Sequence, residues 1–281
     1  MRPLTLSGNR LVPGKGEVAY YAQNDGLWEK MVYETRDSKK SRPFGDGGCA
    51  PSAVAMAIRQ MVQKENLNAI LGYAKSSYSL CLCSVNTAKC RCGQERYFVT
   101  SDRDFERFLP LVYADFAAGN NTFRVLSRTE DKGTATGFIH HLAKAYGLFV
   151  TIVSDYQTAL DALQNGQAVV AHSRAGSVFT NTGHYVTLAH ADDENLYVLD
   201  PLCRENYTTK NASHLTVHEP GLVSLRHEDI RMAGFGSFII FSVAGDEVTS
   251  DAPIVEIRET DGLEEIAEEM AEEVPSEEVQ P

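Results

Sequence analysis

The stretch from Gly45 to Met56, Gly-Asp-Gly-Gly-Cys-Ala-Pro-Ser-Ala-Val-Ala-Met, sets one cysteine where a glycine-rich loop runs into a helix. Pro51 suits the first helical turn, because its missing N–H would have been unpaired there anyway. Val54, Ala57, Ile58 and Met61 then recur at helical spacing and give an apolar face that anchors the helix in a core. A cysteine at a helix N-terminus feels the positive end of the macrodipole and unpaired backbone N–H groups. Both favour the thiolate, the nucleophilic form. Cys49 is therefore the candidate nucleophile, provided a base lies elsewhere in the chain.

A base is at hand in Thr182-Gly183-His184-Tyr185-Val186-Thr187-Leu188-Ala189, where His184 opens an apolar run of buried-strand character. Asp192-Asp193-Glu194-Asn195 is a turn signal. A second apolar run, Leu196-Tyr197-Val198-Leu199, ends in Asp200-Pro201. Antiparallel pairing about a turn near Asp193 brings Asp200 opposite about residue 185, beside His184. The carboxylate would then hold the imidazole in the tautomer that offers a free nitrogen to Cys49. Attack by a thiolate also builds an oxyanion, which needs aimed donors. The side-chain NH₂ of Gln23 and the backbone N–H of Cys49 are the candidates, although Gln23 is one glutamine among several.

The order Gln23, Gly48-Cys49-Ala50-Pro51-Ser52, Gly183-His184-Tyr185, Asp200-Pro201 resembles the papain-like cysteine peptidases. It is most similar to the family of the double-glycine leader peptidase domains of bacteriocin-exporting transporters and their stand-alone bacterial relatives. Tyr21-Ala22-Gln23-Asn24-Asp25 matches that family's Tyr-x-Gln-x-Asp segment. Ala143-Lys144-Ala145-Tyr146-Gly147-Leu148 matches its helix end, and Gly166 to His172 its following strand. The likeness covers about residues 18–62 and 134–243. It implies Cys49 as nucleophile, His184 as base, Asp200 as orienting carboxylate and Gln23 as oxyanion donor, with no cofactor and a peptide or protein substrate. If the family's preference carries over, glycine precedes the scissile bond. Ala50 departs from the glycine that commonly follows the nucleophile.

Each residue also has a plainer reading. A cysteine before a helix is often a small buried hydrophobe, a histidine opening a strand is often structural, and Asp-Pro is a common turn. Two functional alternatives to hydrolysis follow: a peptide-binding module of the same fold, and an acyl or amide transferase. His140, His141, His172, His190, His214, His218 and His227 take the structural reading by default.

Four of the six cysteines crowd into Cys81-Leu82-Cys83-Ser84-Val85-Asn86-Thr87-Ala88-Lys89-Cys90-Arg91-Cys92. A hairpin turning through Ser84–Lys89 would face Cys81 with Cys92 and Cys83 with Cys90 on one side. Four thiols on one face of an intracellular protein point to a structural zinc. Against this, residues two apart on a strand lie about 6.6 Å apart, whereas thiolates around one zinc lie about 3.8 Å apart. Disulfide-linked or redox-active pairs, and free thiols, stay open beside the metal. Cys203 reads as a bystander near the site.

The chain has 281 residues and a formal net charge of −12. Residues 246–281 hold fourteen acidic side chains against the single base Arg258, a local charge of −13, so residues 1–245 sum to +1. No basic patch offsets the acidic segment, which argues against a nucleic-acid partner. No run of 18 apolar residues occurs, and the first residues lack the apolar core of a secretory signal, so the expectation is a cytoplasmic protein without a membrane partner. Within the acidic segment Leu263, Ile266, Ala267 and Met270 recur at helical spacing among glutamates. So few apolar residues do not sustain a helix alone. The reading is a disordered tail, with docking on a partner or on the cleft as the alternative.

The expected organisation is one papain-like domain over residues 1–245, with a cysteine-rich helical insertion at about 63–130, followed by the acidic tail. Residues 1–17 read as an arm, 105–116 as a helix broken at Pro110, and 134–147 as a helix. Strands follow at 149–153, 168–172, 185–189, 197–199 and 238–243, with a helix at 157–164. Helices first and an antiparallel sheet afterwards make an α+β fold, with the nucleophile helix packed on the sheet.

Overall fold

A computed structural model describes residues 5–33, 42–72, 78–81, 96–99, 101–119, 128–129, 133–134 and 138–246. Within the expected N-terminal arm, residues from 8 onward do not run as a simple arm. β1 (Gly8–Val12) and β2 (Gly16–Tyr20) make an antiparallel hairpin. Val12, Val18 and Tyr20 bury on its inner side. Two short strands, β3 (Val32–Tyr33) and β4 (Arg42–Pro43), lead to the four-residue α1 (Phe44–Gly47) and then to α2 (Cys49–Met61).

From Ala50 to Ile58 every residue of α2 is buried, wider than the single apolar face expected. The small side chains Ala50, Ser52, Ala53, Ala55 and Ala57 let neighbours approach on all sides. α2 packs on β2, on the central strands of the sheet and on the helix of residues 102–119. A 3₁₀ segment over Lys64–Gly72 follows, then the hairpin β5 (Tyr78–Cys81) with β6 (Arg96–Val99). Here the expected cysteine ladder is corrected: Cys81 pairs with Arg96, not Cys92. The described pairs run from Tyr78–Val99 to Cys81–Arg96, a register four residues away from the one the cysteine symmetry implied. Cys83, Cys90 and Cys92 lie outside the described residues.

α3 (Asp102–Gly119) bends where the sequence placed its break, with non-helical angles at Phe108 (φ −109°, ψ 18°) just before Pro110. Proline has no N–H to give the carbonyl four residues back. The orphaned Glu106 carbonyl instead accepts the Tyr21 hydroxyl at 2.7 Å. β7 (Arg128–Thr129) and β8 (Gly133–Thr134) pair briefly, and α4 (Phe138–Ala145) begins later than expected because residues 133–134 are spent on that strand.

The remaining chain builds one seven-stranded antiparallel sheet. Its strands are β9 (Phe149–Val153), β10 (Ala168–Ser173), β11 (His184–Ala191), β12 (Asn195–Leu199), β13 (Thr216–Glu219), β14 (Leu222–Arg226) and β15 (Phe235–Ser242). The spatial order is β13-β14-β12-β11-β10-β15-β9. α5 (Tyr156–Gln164) starts at Asp155, whose carboxylate accepts the Thr158 N–H at 2.7 Å. The side-chain alternation of a strand splits the core in two. Ala168, Val170, Ile239 and Phe241 join the α2 side. Val169, Ala171, Val186, Leu188, Phe238 and Ile240 join the α5 side. The result is an α+β fold with α2 laid on an antiparallel sheet, as expected. Strands β13 and β14 were not foreseen.

Candidate active site

Cys49 is the first residue of α2, and Gly48 is the joint between α1 and α2. The glycine is required by close approach: a Cβ there would stand 2.4 Å from a ring carbon of the fully buried Phe44. Cys49 is partly buried. Burial alone would push its thiol up. The hydrogen bond and charge of His184, helped by the N–H groups of Tyr185 and Ala50, outweigh burial and hold it below its ordinary 9.0.

His184 opens β11, and Asp200 follows the end of β12. The β11–β12 ladder pairs Thr187 with Leu199 and Leu188 with Val198, then shifts by one residue before His190. This extra residue places Asp200 about one position further along than a uniform ladder would, and the two side chains still meet. His184 Nε2 lies 2.7 Å from Asp200 Oδ1, with His184 only 6 % exposed and Asp200 fully buried. Because Nε2 is committed to Asp200, Nδ1 is the nitrogen left for Cys49. Burial alone would pull the imidazole down. The charge and hydrogen bond of Asp200, then those of Cys49, push it up to about 10. Burial would likewise raise the Asp200 carboxyl, but His184, then Arg204 and the Leu202 N–H, keep it below the usual 3.8.

Gln23 is brought to the same place from the other side. Its backbone N–H donates to the Pro201 carbonyl at 2.7 Å, just after Asp200. Its side-chain NH₂ donates to the Gly45 carbonyl at 2.6 Å, in α1, four residues before Cys49. That bond uses one of the two amide hydrogens and leaves the second for an oxyanion. The neighbours of Gln23 fix its loop. Asn24 Nδ2 donates to the Cys203 carbonyl, and the Cys203 N–H donates back to Asn24 Oδ1, both at 2.9 Å. The buried Asp25 carboxylate accepts the N–H groups of Leu6, Ser7 and Leu27 at 2.7–2.9 Å. Cys203, read as a bystander, is thus a backbone clamp on the loop that carries Gln23.

Several neighbours of the site went unread in the sequence. Tyr20 donates its hydroxyl to the Asp200 carbonyl at 2.7 Å. Arg204 and Tyr207 both reach the Asp200 carboxylate. The spacing Asp200–Arg204 is a pairing signal only on a helix, and here it lies in a loop. His172 packs on the Tyr185 ring with centroids 4.8 Å apart. Burial, then the charges of Arg174 and His184, pull its imidazole down to about 4, so it stays neutral beside His184. His190 stacks on Tyr197, away from these groups. Among the described residues, no group of three or more His, Cys, Asp or Glu side chains is arranged to hold a metal ion. Nor, among them, is any helix long and apolar enough to cross a membrane.

A family model described as "Peptidase_C39 like family" matches residues 15–218, a span that contains Gln23, Cys49, His184 and Asp200. A search of curated proteins finds no match. The match spans most of the chain and agrees with an α+β architecture in which a buried helix lies on an antiparallel sheet. This chain belongs to the Peptidase_C39-like family, cysteine peptidases of papain type.

Proposed function

We propose that the protein hydrolyses a peptide or related amide bond with Cys49 as nucleophile, His184 as acid and base, Asp200 as its orienting partner and Gln23 as oxyanion donor. Peptidases of this family need no cofactor for catalysis. The observation that carries the reading is the 2.7 Å bond between His184 Nε2 and the buried Asp200 carboxylate, which leaves Nδ1 for Cys49 at the start of α2. The lowered thiol and raised imidazole support it.

The steps balance with these groups alone. The thiolate attacks the carbonyl carbon, and the developing oxyanion takes hydrogen bonds from the second Gln23 amide hydrogen and the Cys49 N–H. The C–N bond breaks as His184 Nδ1 gives its proton to the leaving amine. Water then attacks the thioester while Nδ1 takes its proton, and the C–S bond breaks to release the acid and restore the thiolate. Glycine before the scissile bond is part of the proposal, supported by the resemblance of the motifs around Gln23, Cys49 and His184.

The test is mass spectrometry of Gly-Gly peptides after incubation with the protein, with and without an added amine. The proposal predicts two fragments, the acyl one carrying a carboxylate from water, and no cleavage by Cys49→Ala. An amine adduct as the main product would make the protein a transferase. Retention of intact peptide by wild type and Cys49→Ala alike would make it a binding module.

A further inference from the structure

We propose that Arg204 and Tyr207 are positioning residues that keep Asp200 ionised and reserve one of its oxygens for His184. The inference rests on the Cys49–His184–Asp200 reading and goes beyond it. The carboxylate is fully buried, and its two oxygens are divided between two sets of donors. Oδ1 accepts His184 Nε2 at 2.7 Å and the Leu202 N–H at 2.9 Å. Oδ2 accepts Arg204 Nη2 at 3.0 Å and the Tyr207 hydroxyl at 2.9 Å. Both oxygens are saturated, so the carboxylate cannot rotate without giving up bonds on each side.

Arg204 is itself held on three sides. Its guanidinium lies 4.1 Å over the Tyr207 ring, Nη2 also donates to the Phe179 carbonyl, and its side chain is only 22 % exposed. Its Nε is buried and, among the described residues, has no hydrogen-bond partner. A buried unpaired N–H is costly, so shape-filling alone would be better served by an apolar side chain. A fixed positive charge against a buried carboxylate is what arginine adds.

The consequence is chemical. A buried carboxylate facing only an imidazolium can take its proton, leaving a neutral pair that no longer supports the Cys49 thiolate. With Arg204 on Oδ2 the carboxylate stays charged to lower pH, and the imidazolium stays with it. Tyr207 is kept protonated by burial and by the Asp200 charge, so it remains a donor throughout. The groups facing Asp200 are His184 from β11, Arg204 and Tyr207 from the loop after β12, and Tyr20 from β2 at its backbone carbonyl. His184 in turn faces Cys49 of α2 and His172 of β10.

The experiment follows the rate of Cys49 alkylation against pH, with a thermal melt for each protein, in wild type, His184→Ala, Arg204→Gln, Arg204→Lys and Tyr207→Phe. Arg204→Gln keeps a donor but loses the charge, and its acid limb is expected to rise by about one to two pH units, the range for removing an opposite charge. Arg204→Lys restores a cation and is expected to return the limb toward wild type. Tyr207→Phe keeps the ring under Arg204 and is expected to move the limb the same way by less. An acid limb unmoved in Arg204→Gln, with only the melt lowered, overturns the proposal and leaves Arg204 a structural residue. A wild type without low-pH alkylation sinks the triad reading itself and this proposal with it. Should Arg204→Gln not fold, an unmoved limb in Tyr207→Phe overturns the proposal by itself.

Discussion

At the scale of single residues, the site is a set of buried charges that pay for one another. Asp200 and His184 would each be expelled from their charged forms by burial alone, and each holds the other ionised. Under the proposed mechanism Gln23 contributes differently, since it carries no charge and its free amide hydrogen acts on the oxyanion. Its replacement should therefore separate chemistry from reactivity. Gln23→Ala is expected to lower kcat by about 10²–10³-fold, the loss found on removing one oxyanion donor, while Cys49 alkylation at neutral pH persists. Equal losses in both measurements would place Gln23 in the upkeep of the thiolate instead. Cys49, His184 and Asp200 were legible as candidates because their types and flanking glycine, proline and turn signals are local, whereas Gln23, one glutamine among several, was singled out through the family resemblance. Arg204 and Tyr207 were not legible, because each meets Asp200 through a loop that leaves no period in the sequence, and Tyr20 was not, because its strand β2 lies far from Asp200 in the chain.

At the scale of elements, the strands with continuous apolar runs, β9, β10, β12 and β15, could be read to within a few residues. The β1–β2 hairpin could not, because Val12, Val18 and Tyr20 are scattered among glycine, lysine and glutamate. The register of β11 on β12 was legible except for the irregularity before His190, which adds a residue that alternation cannot announce. The hairpin earns its place in the site through Tyr20, whose ring leaves room for nothing but glycine at position 221. Gly221 has φ +85°, and a Cβ there would stand 2.1 Å from the Tyr20 hydroxyl oxygen. Its backbone also matters, since the Gly221 carbonyl accepts the Asp200 N–H at 2.9 Å. Gly221→Ala is expected to cost about 2–5 kcal/mol in urea unfolding, from about 1–2 for the left-handed backbone and about 1–3 for overpacking. An unchanged midpoint would show that the contact between β2 and the end of β12 does not hold the site.

At the scale of the whole molecule, the functional groups arrive from four distant parts of the chain onto one end of a sheet. The loop of Gln23 is tied to Pro201 and Cys203, α1 is tied to Gln23 through Gly45, and α2 meets β11 through the Thr187 hydroxyl, which donates to the Ala53 carbonyl at 2.8 Å. The α+β class was legible from the order of periodic segments. The place of α5 on the far face of the sheet from α2 was not, since a strand pattern tells which residues share a face but not which helix covers it. The expected division at residue 245 falls just after β15, and the acidic residues from 247 onward lie outside the described part of the chain.

The central claim is that this convergence makes Cys49 and His184 an ion pair, and the pH dependence of Cys49 alkylation in wild type and His184→Ala, read by peptide mass mapping, tests it most directly. A thiol with a lowered pKa loses its thiolate only below that lowered value, so wild-type alkylation should stay fast well under the 9.0 of an ordinary thiol. In His184→Ala the imidazolium is gone and burial pushes the thiol up, so fast alkylation should survive only at alkaline pH. Identical profiles in the two proteins, each rising near 9, would contradict the ion pair and with it the mechanism.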